Sequence, residues 1–515
     1  MAKSNTTSVD MSLQFELPQS LTAEKLIIRL SDHADTQLLA RQHAVRTYYD
    51  SFDWRLYSND MLCDFTRSKT ASTLALRHLE NECIIVSAEI DDVPAFGNQF
   101  KSTKIRGILE PLLEMRALLS LCRLDYELYA VNILNNDKKI VLRLLIEAHE
   151  LFNSRLTVQP VKGYDKITEY IIDILTTKLD LTPADNPLLL PALKLHGRKP
   201  KEYTSKLAIN LDPDMRADIA GKYIYSHLLK TIKDNEQGAI NNTDSEFLHD
   251  FRVAVRRTRA GLSQIKDVLP EPVNAYYADF FSWLGQITGP TRDLDVYLLN
   301  FENYKNSLPV SIQENLEPLH GFLLTKQQKA QKELAKKLRS AKYSSTIAEW
   351  EDYLKKEAPK KPLEANAKLS IKQLADLRIW KVFNRVLQEG DAITEQSAAE
   401  TLHELRKTCK KLRYLMEFFQ NLYPEKSIKQ LISGLKELQE VLGEFQDYQV
   451  QENHLKLFSE EMAAHHIPAD TLAAIEVLIQ NLDLNRRRAR NDFSEKYATF
   501  KQAENQAAFK TLFAR

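Results

Sequence analysis

The sequence predicts an α+β unit with an antiparallel sheet, followed by an all-α unit. Three observations carry this. Glycine is scarce, 13 in 515 residues, which favours helix over turn-rich β architecture. Before about residue 200, short β-rich segments alternate with polar turns, whereas beyond it nearly every segment has apolar residues at helical spacing. The helical part also repeats itself at a fixed interval.

In the first part, LIIRL, TLALRHL, CIIVSAEI and KIVLRLLIEA read as strand segments, and NNDKK (Asn135 to Lys139) reads as a hairpin turn. Helices are expected over 105–121 and 164–179. This gives a first domain over 1–195. Residues 196–213, with Pro200 and Pro213 and few apolar side chains, read as a linker. The helical domain then spans 214–515, with halves at about 214–356 and 363–510 separated by EAPKKP (Glu357 to Pro362). The Lys/Glu/Gln/Ala-rich stretch from Ser311 to Glu357 is expected to form two antiparallel helices broken near Tyr343.

Composition bounds the function. Hydrophobic residues at 43% and charged residues at 27% are those of a soluble globular protein, and the length calls for more than one core. Lys+Arg and Asp+Glu are both 70, so overall charge points to no nucleic acid or membrane, and a polyanion site has to come from local clustering. No GxxxxGK[ST] or GxGxxG phosphate loop is present. Cys63, Cys83, Cys122 and Cys409 are widely spaced without a CxxC pair, which suits a reduced, cytoplasmic setting without structural zinc. The opening MAKSNTTSVDMSLQ has no apolar signal-like run, and no stretch reaches the ~18 apolar residues of a membrane span.

The repeat is the strongest signal. At a shift of 154 residues HDFRVAVRRTRA, starting at His249, falls on HELRKTCKKLRY, starting at His403. His249 then pairs with His403, Arg252 with Arg406, Arg256 with Lys410, Arg257 with Lys411 and Arg259 with Arg413. The same offset holds from Pro270 on Pro424 to Gly289 on Gly443 and Asp293 on Asp447. Inside the repeat Arg292 meets Gln446, and the halves are therefore expected to contribute unequally.

Helical geometry says what these residues do together. Positions i, i+3, i+7 and i+10 fall within an arc of roughly 80°, so His249, Arg252, Arg256 and Arg259 form one stripe roughly 15 Å long. Leu248, Phe251, Val255 and Leu262 lie on the adjoining arc and are expected to face a core. His403, Arg406, Lys410 and Arg413 repeat the stripe. If the halves are related by a pseudo-twofold, the stripes line a shared seam. Arginine offers a planar fork of donors, lysine a compact cation and histidine a tunable donor, a set suited to phosphate. A single basic stripe is usually a solvated face, and Asp293 and Asp447 could pair with the arginines internally. The doubled pattern favours a polyanion.

HDFRVAVRRTRA, TGPTRDLDV (Thr288 to Val296), LHELRKTCKKLRYLMEFF and LQEVLGEFQDYQV resemble the CHAD domain over roughly 210–510. The resemblance implies two four-helix bundles related by pseudo-symmetry, binding of inorganic polyphosphate in a basic groove, and association with polyphosphate granules. It makes the stripe residues, with Arg257 and Lys411, the polyphosphate contacts. Lys222, Lys381 and Arg385, on the first helix of each half, are further candidates, and the late run Arg486, Arg487, Arg488 and Arg490 a weaker one.

The first domain resembles the CYTH (triphosphate tunnel) domain through RTYYDSFDWRLYSNDML (Arg46 to Leu62), TLALRHLE (Thr73 to Glu80), the hairpin ending in RLLIEAHEL, and VKGYDKI near Tyr164. The enzymatic version needs an ExExK strand whose carboxylates hold a divalent metal against a triphosphate. Here that strand reads Gln14-Phe-Glu16-Leu-Pro18, and the Leu-Arg-x-Arg strand is reduced to LCDFTR (Leu62 to Arg67). The implied fold is an antiparallel tunnel or barrel without activity and needing no cofactor. The competing reading is a metal-dependent triphosphatase or polyphosphate hydrolase, in which Glu16, Glu147 and Glu150 with Arg77 and Arg143 rebuild the site. Nucleic-acid binding through the stripes is a third reading, opposed by the lack of interleaved aromatics for base stacking.

Overall fold

The computed structural model describes residues 13–184, 186–207, 209–464 and 467–514; the opening segment read above for a signal sequence lies mostly outside them. The chain divides into two compact units, 1–204 and 205–515.

The first unit is built on β1 (Leu13–Leu17), α1 (Ala23–Ser31), β2 (Asp35–Asp50), α2 (Arg55–Ser58), β3 (Met61–Ser68), β4 (Ser72–His78), β5 (Ile84–Glu89), α3 (Thr103–Leu113), β6 (Leu119–Leu134), β7 (Ile140–Ala148), β8 (Ser154–Pro160), α4 (Asp165–Asp173), β9 (Thr182–Pro183) and α5 (Leu189–Leu195). All nine strands join one antiparallel sheet in the order β5-β4-β3-β2-β6-β7-β8-β1-β9. Its two edge strands do not pair among the described residues. The sheet is a curled half-barrel rather than a closed tunnel, and side chains from β1 to β8 line one concave pocket. The turn at Asn135–Lys139 closes the β6–β7 hairpin, and the Asn135 side chain accepts the Asp137 and Lys139 amides.

Two expectations in this unit are corrected. LIIRL lies in α1, not in a strand. Thr22 caps the helix by accepting the Lys25 amide, and Ala23, Leu26 and Leu30 are buried at helical spacing. The helix expected over 105–121 stops at Leu113. Glu114 takes φ +50°, and Leu119 onward belongs to β6. The segment read as a linker is anchored, too. Arg198 donates to the Leu121 carbonyl in the first unit, and in the second unit Asn421 donates to the Leu211 carbonyl.

The second unit is helical: α6 (Ala217–Asn241), α7 (Ser245–Gln264), α8 (Glu271–Ile287), α9 (Gly289–Leu299), α10 (Phe301–Asn306), α11 (Glu317–Leu338) and α12 (Ala341–Lys355) form the first half, and α13 (Ile371–Asp391), α14 (Ala399–Phe419), α15 (Glu425–Ala464), α16 (Ala469–Phe500) and α17 (Ala503–Phe513) the second. Leu248, Phe251, Val255 and Leu262 are all buried, as the stripe geometry requires. The 311–357 stretch does contain two helices, but they do not pair with each other; α11 packs mainly on α9, and α12 on α6. α12 delivers Trp350 to a fully buried aromatic cluster with Tyr225, Tyr277 and Phe281.

The backbone discloses the pseudo-twofold. The Ala217 amide donates to the Leu369 carbonyl at 2.9 Å, and the Ile371 amide to the Met215 carbonyl at 2.8 Å, around an antiparallel bridge between Arg216 and Ser370. Under the repeat offset Ala217 falls on Ile371, Met215 on Leu369 and Arg216 on Ser370, so the shift exchanges the two hydrogen bonds and leaves the bridge at their centre. Tyr297 and Gln451 are also counterparts, and the tyrosine hydroxyl donates to the backbone carbonyl at a separation of 154 residues. Residues that touch their own repeat counterparts mark the axis. A shared core binds the halves beside it: Leu294, Tyr297, Phe301, Leu319 and Leu323 of the first pack with Leu455, Phe458, Met462 and Ile475 of the second.

Candidate anion-binding seam

α7 and α14 pack against each other, and each buries its apolar arc while its basic stripe stays half-exposed. Arg256 and Lys410, repeat counterparts, face each other across the seam within a cluster that also holds Arg406 and Arg413. Arg256, Arg259 and Arg292, with Asp293, lie around Arg252. The two stripes therefore do come together, on the pseudo-twofold axis.

Carboxylates are scarce there. Among the described residues Arg256, Arg259 and Lys410 make no hydrogen bond and no ion pair, and Arg256 and Arg406 each bury an Nε–H that donates to nothing. Arg252 Nη1 donates only to neutral oxygens, Thr288 Oγ1 at 2.8 Å and the Gly285 carbonyl at 3.2 Å. Arg406 Nη2 donates to Asp447 Oδ1 at 3.2 Å, the one stripe pairing of the kind the sequence allowed; Asp293 makes none. Burial and the cations Arg256, Arg292 and Arg259 pull Arg252 down to about 10, with Asp293 opposing, so it stays charged at neutral pH. Burial, then Arg406 and Arg256 and finally Arg413, push Lys410 down to about 7 against the pull of Asp447. Gly289 and Gly443, matched in the repeat, leave room beside the guanidiniums of Arg252 and Arg406; Gly285 does so for Arg259, whose Nη1 lies 2.9 Å from where a Cβ would stand.

The histidines open each stripe in opposite senses. Arg292 Nη2 donates to His249 Nδ1 at 3.1 Å, which fixes the neutral tautomer with its proton on Nε2. In the second half Gln446 Oε1 accepts from His403 Nδ1 at 2.7 Å. The Arg292-to-Gln446 exchange thus keeps a histidine partner in both halves and reverses the direction of the hydrogen bond.

Other candidates sit apart. Arg257 Nη2 is 3.0 Å from Glu417 Oε2, and Arg413 Nε is 3.5 Å from Glu417 Oε1. Glu417 drew no notice in the sequence, although its helical position was readable. Lys411 lies among Arg385, Lys407, Glu389 and Glu404, with Arg385 Nε 2.6 Å from Glu389. Lys222 donates to the Tyr353 and Lys356 carbonyls at the end of α12, and Lys381 is exposed on α13. Arg486 and Arg487 pair with Asp483, and Arg490 donates to carbonyls of the 394–397 turn.

A divalent metal does not fit the concave face of the first unit. Arg46 grips Glu147 with two bonds at 2.6 and 2.9 Å, Arg77 holds Asp64 at 2.5 Å, and Arg155 holds Glu16 at 3.1 Å. Burial alone would raise Glu147, but Arg46 and His149 hold it far below the usual carboxylate range. Among the described residues the one cluster of three candidate ligands is Glu246, His249 and Asp250 on α7, and Arg292 already occupies its edge, 3.8 Å from Glu246.

Among solved structures, the CHAD domain from the plant Ricinus communis is similar at 24% identity, covering 60% of this chain and 96% of that one, with TM-score 0.45. PptA from Streptomyces chartreusis is similar at 15% identity, covering 55% and 99%, with TM-score 0.43. The adenylyl cyclase HpAC1 from Hippeastrum, described as having a dominant triphosphatase activity, covers 38% of this chain and 99% of its own at 14% identity and TM-score 0.26. No curated protein matches. No described helix is long and apolar enough to cross a membrane. The family described as CHAD domain matches residues 224–456, and over those residues the chain is a CHAD domain.

Proposed function

We propose that the chain binds inorganic polyphosphate along the α7–α14 seam. The observation that carries this is the charge imbalance: Arg252, Arg256, Arg259, Arg406 and Lys410 gather around the pseudo-twofold with a single ion-paired carboxylate, Asp447. Like charges held this close raise the free energy of the folded unit, and a linear polyanion relieves that repulsion while satisfying the orphaned N–H groups. His249, His403, Arg257, Lys411 and Arg413 extend the surface, and Lys222, Lys381 and Arg385 lie outside its centre. The CHAD resemblance adds to this reading a place at polyphosphate granules.

Hydrolysis is the weaker reading, because the carboxylates a metal would need are held by arginines in the first unit. The test is binding of a defined long-chain polyphosphate to the purified chain, with phosphate release followed in parallel with magnesium or manganese. Tight binding without release is expected, and metal-dependent release would overturn the assignment of the first unit. Competition against DNA at fixed salt separates polyphosphate from nucleic acid, since both affinities fall with salt.

Binding is also expected to depend on pH. Lys410 is depressed from its ordinary 10.5 to about 7, so in the free protein its ammonium is lost as pH rises through neutrality. Affinity should therefore be highest below pH 7 and fall between about 7 and 8.5, where the ligand must draw a proton onto Lys410. Lys410→Arg keeps its charge throughout and should flatten the profile in that window. A titration of affinity from pH 6 to 9 in both proteins decides it; identical slopes would reject the role of Lys410.

A further inference from the structure

Glu417 continues the second stripe. It lies i+14 from His403 and i+7 from Lys410, on the same helical face, one turn beyond Arg413. At the matching turn of the first stripe stands Ser263, an exposed hydroxyl. The two stripes are therefore alike up to Arg259 and Arg413 and then differ by a full negative charge.

That charge is placed on the cations of both halves. Glu417 Oε2 meets Arg257 of α7 at 3.0 Å, and Oε1 meets Arg413 of its own helix at 3.5 Å. All three side chains are largely withdrawn from water: 16% of Glu417, 17% of Arg257 and 25% of Arg413 is exposed. The counterparts of Arg257 and Arg413 in the other half, Lys411 and Arg259, meet no carboxylate at position 263. Arg259 instead lies across α8 at Gly285, whose counterpart in the second half is Gln439, a buried side chain that donates to the Cys409 carbonyl.

We propose that Glu417 is a specificity-determining residue of the seam: it ends the anion-binding track on one side by neutralising Arg257 and Arg413, and so sets how many phosphates the seam grips. This rests on the polyphosphate-binding reading. The track is then lopsided, open past Arg259 and closed past Arg413. A ligand phosphate reaching the closed end has to displace a buried carboxylate from two guanidiniums, and that exchange gains little net attraction.

The experiment measures binding of polyphosphates of defined length, at several salt concentrations, to the full chain and to two variants, each checked by its thermal melt. Glu417→Gln keeps the shape and removes the charge. It is expected to bind about three- to tenfold tighter at low salt, with a steeper salt dependence as the two arginines join the contact. Ser263→Glu installs the missing carboxylate at an exposed site and should weaken binding by a similar factor. Unchanged or weaker binding in folded Glu417→Gln overturns the proposal, as does unchanged binding in Ser263→Glu should the first variant fail to fold. Absence of binding by the unaltered chain would instead remove the polyphosphate reading itself.

Discussion

Changing Arg252, Arg256, Arg406 and Lys410 to alanine together is expected to abolish polyphosphate binding while leaving the second unit at least as stable as before. In the proposed complex each residue would contribute a charge-assisted hydrogen bond to phosphate, about 1.5–3 kcal/mol where the partner is charged. Even with strong non-additivity, the loss should be on the order of 10³-fold in affinity. The stability arm follows from the same geometry: Arg256 and Lys410 have no carboxylate partner, and Lys410 is pressed by three arginines. Deleting the cluster removes repulsion and buried, unsatisfied guanidinium N–H groups at the cost of some packing by their methylene stems. Isothermal binding and a thermal melt on one preparation test both arms. Binding that survives would move the site elsewhere and return the stripes to a solvated face.

Gly390→Ala should give a large loss of stability for a single methyl group added to the helical unit. A Cβ at position 390 of α13 would stand 2.1 Å from Tyr497 Cε2 and 2.3 Å from its Cζ. The ring cannot swing away, since it is 8% exposed and its hydroxyl donates to the Leu387 carbonyl and to Asp391, both at 2.8 Å. Overpacking on this scale costs about 1–3 kcal/mol or more, and the ~1 kcal/mol that alanine gains over glycine in a helix offsets only part of it. A net loss of about 2 kcal/mol is expected in urea denaturation. Gly321→Ala, near the start of α11, is the opposite case: nothing lies within 4 Å, so it should stabilise by up to ~1 kcal/mol. Equal effects at the two sites would mean that the α13–α16 crossing is looser than its geometry.

The parts legible from sequence were those encoded on a single helix. The stripe from His249 to Arg259 and its buried neighbours Leu248, Phe251 and Val255 share one local period, and doubling at a constant offset made the pattern stand out. What escaped depends on where helices cross. Arg257 reads as another stripe cation until α14 brings Glu417 against it, and Lys222 reads as a groove lysine until α12 ends beside it. The sheet was harder for a local reason. LIIRL is too short and too apolar for periodicity to separate strand from helix, and the cap at Thr22 decides it. The helix drawn through residue 121 failed because nothing in the apolar spacing announces the left-handed residue at Glu114.

The approach of Arg256 to Lys410, its repeat counterpart, has one more consequence. As far as Arg259 and Arg413, short of the closed end at Glu417, a track whose two arms exchange under a half-turn presents nearly the same cations to a ligand laid in either direction. Linear polyphosphate has no head and no tail, so both orientations are productive and neither end needs to be recognised. A nucleic acid strand runs 5′ to 3′ and would meet its sugars reversed in the second arm. If the seam binds as proposed, the symmetry of the track favours polymers without direction, before any single contact is considered.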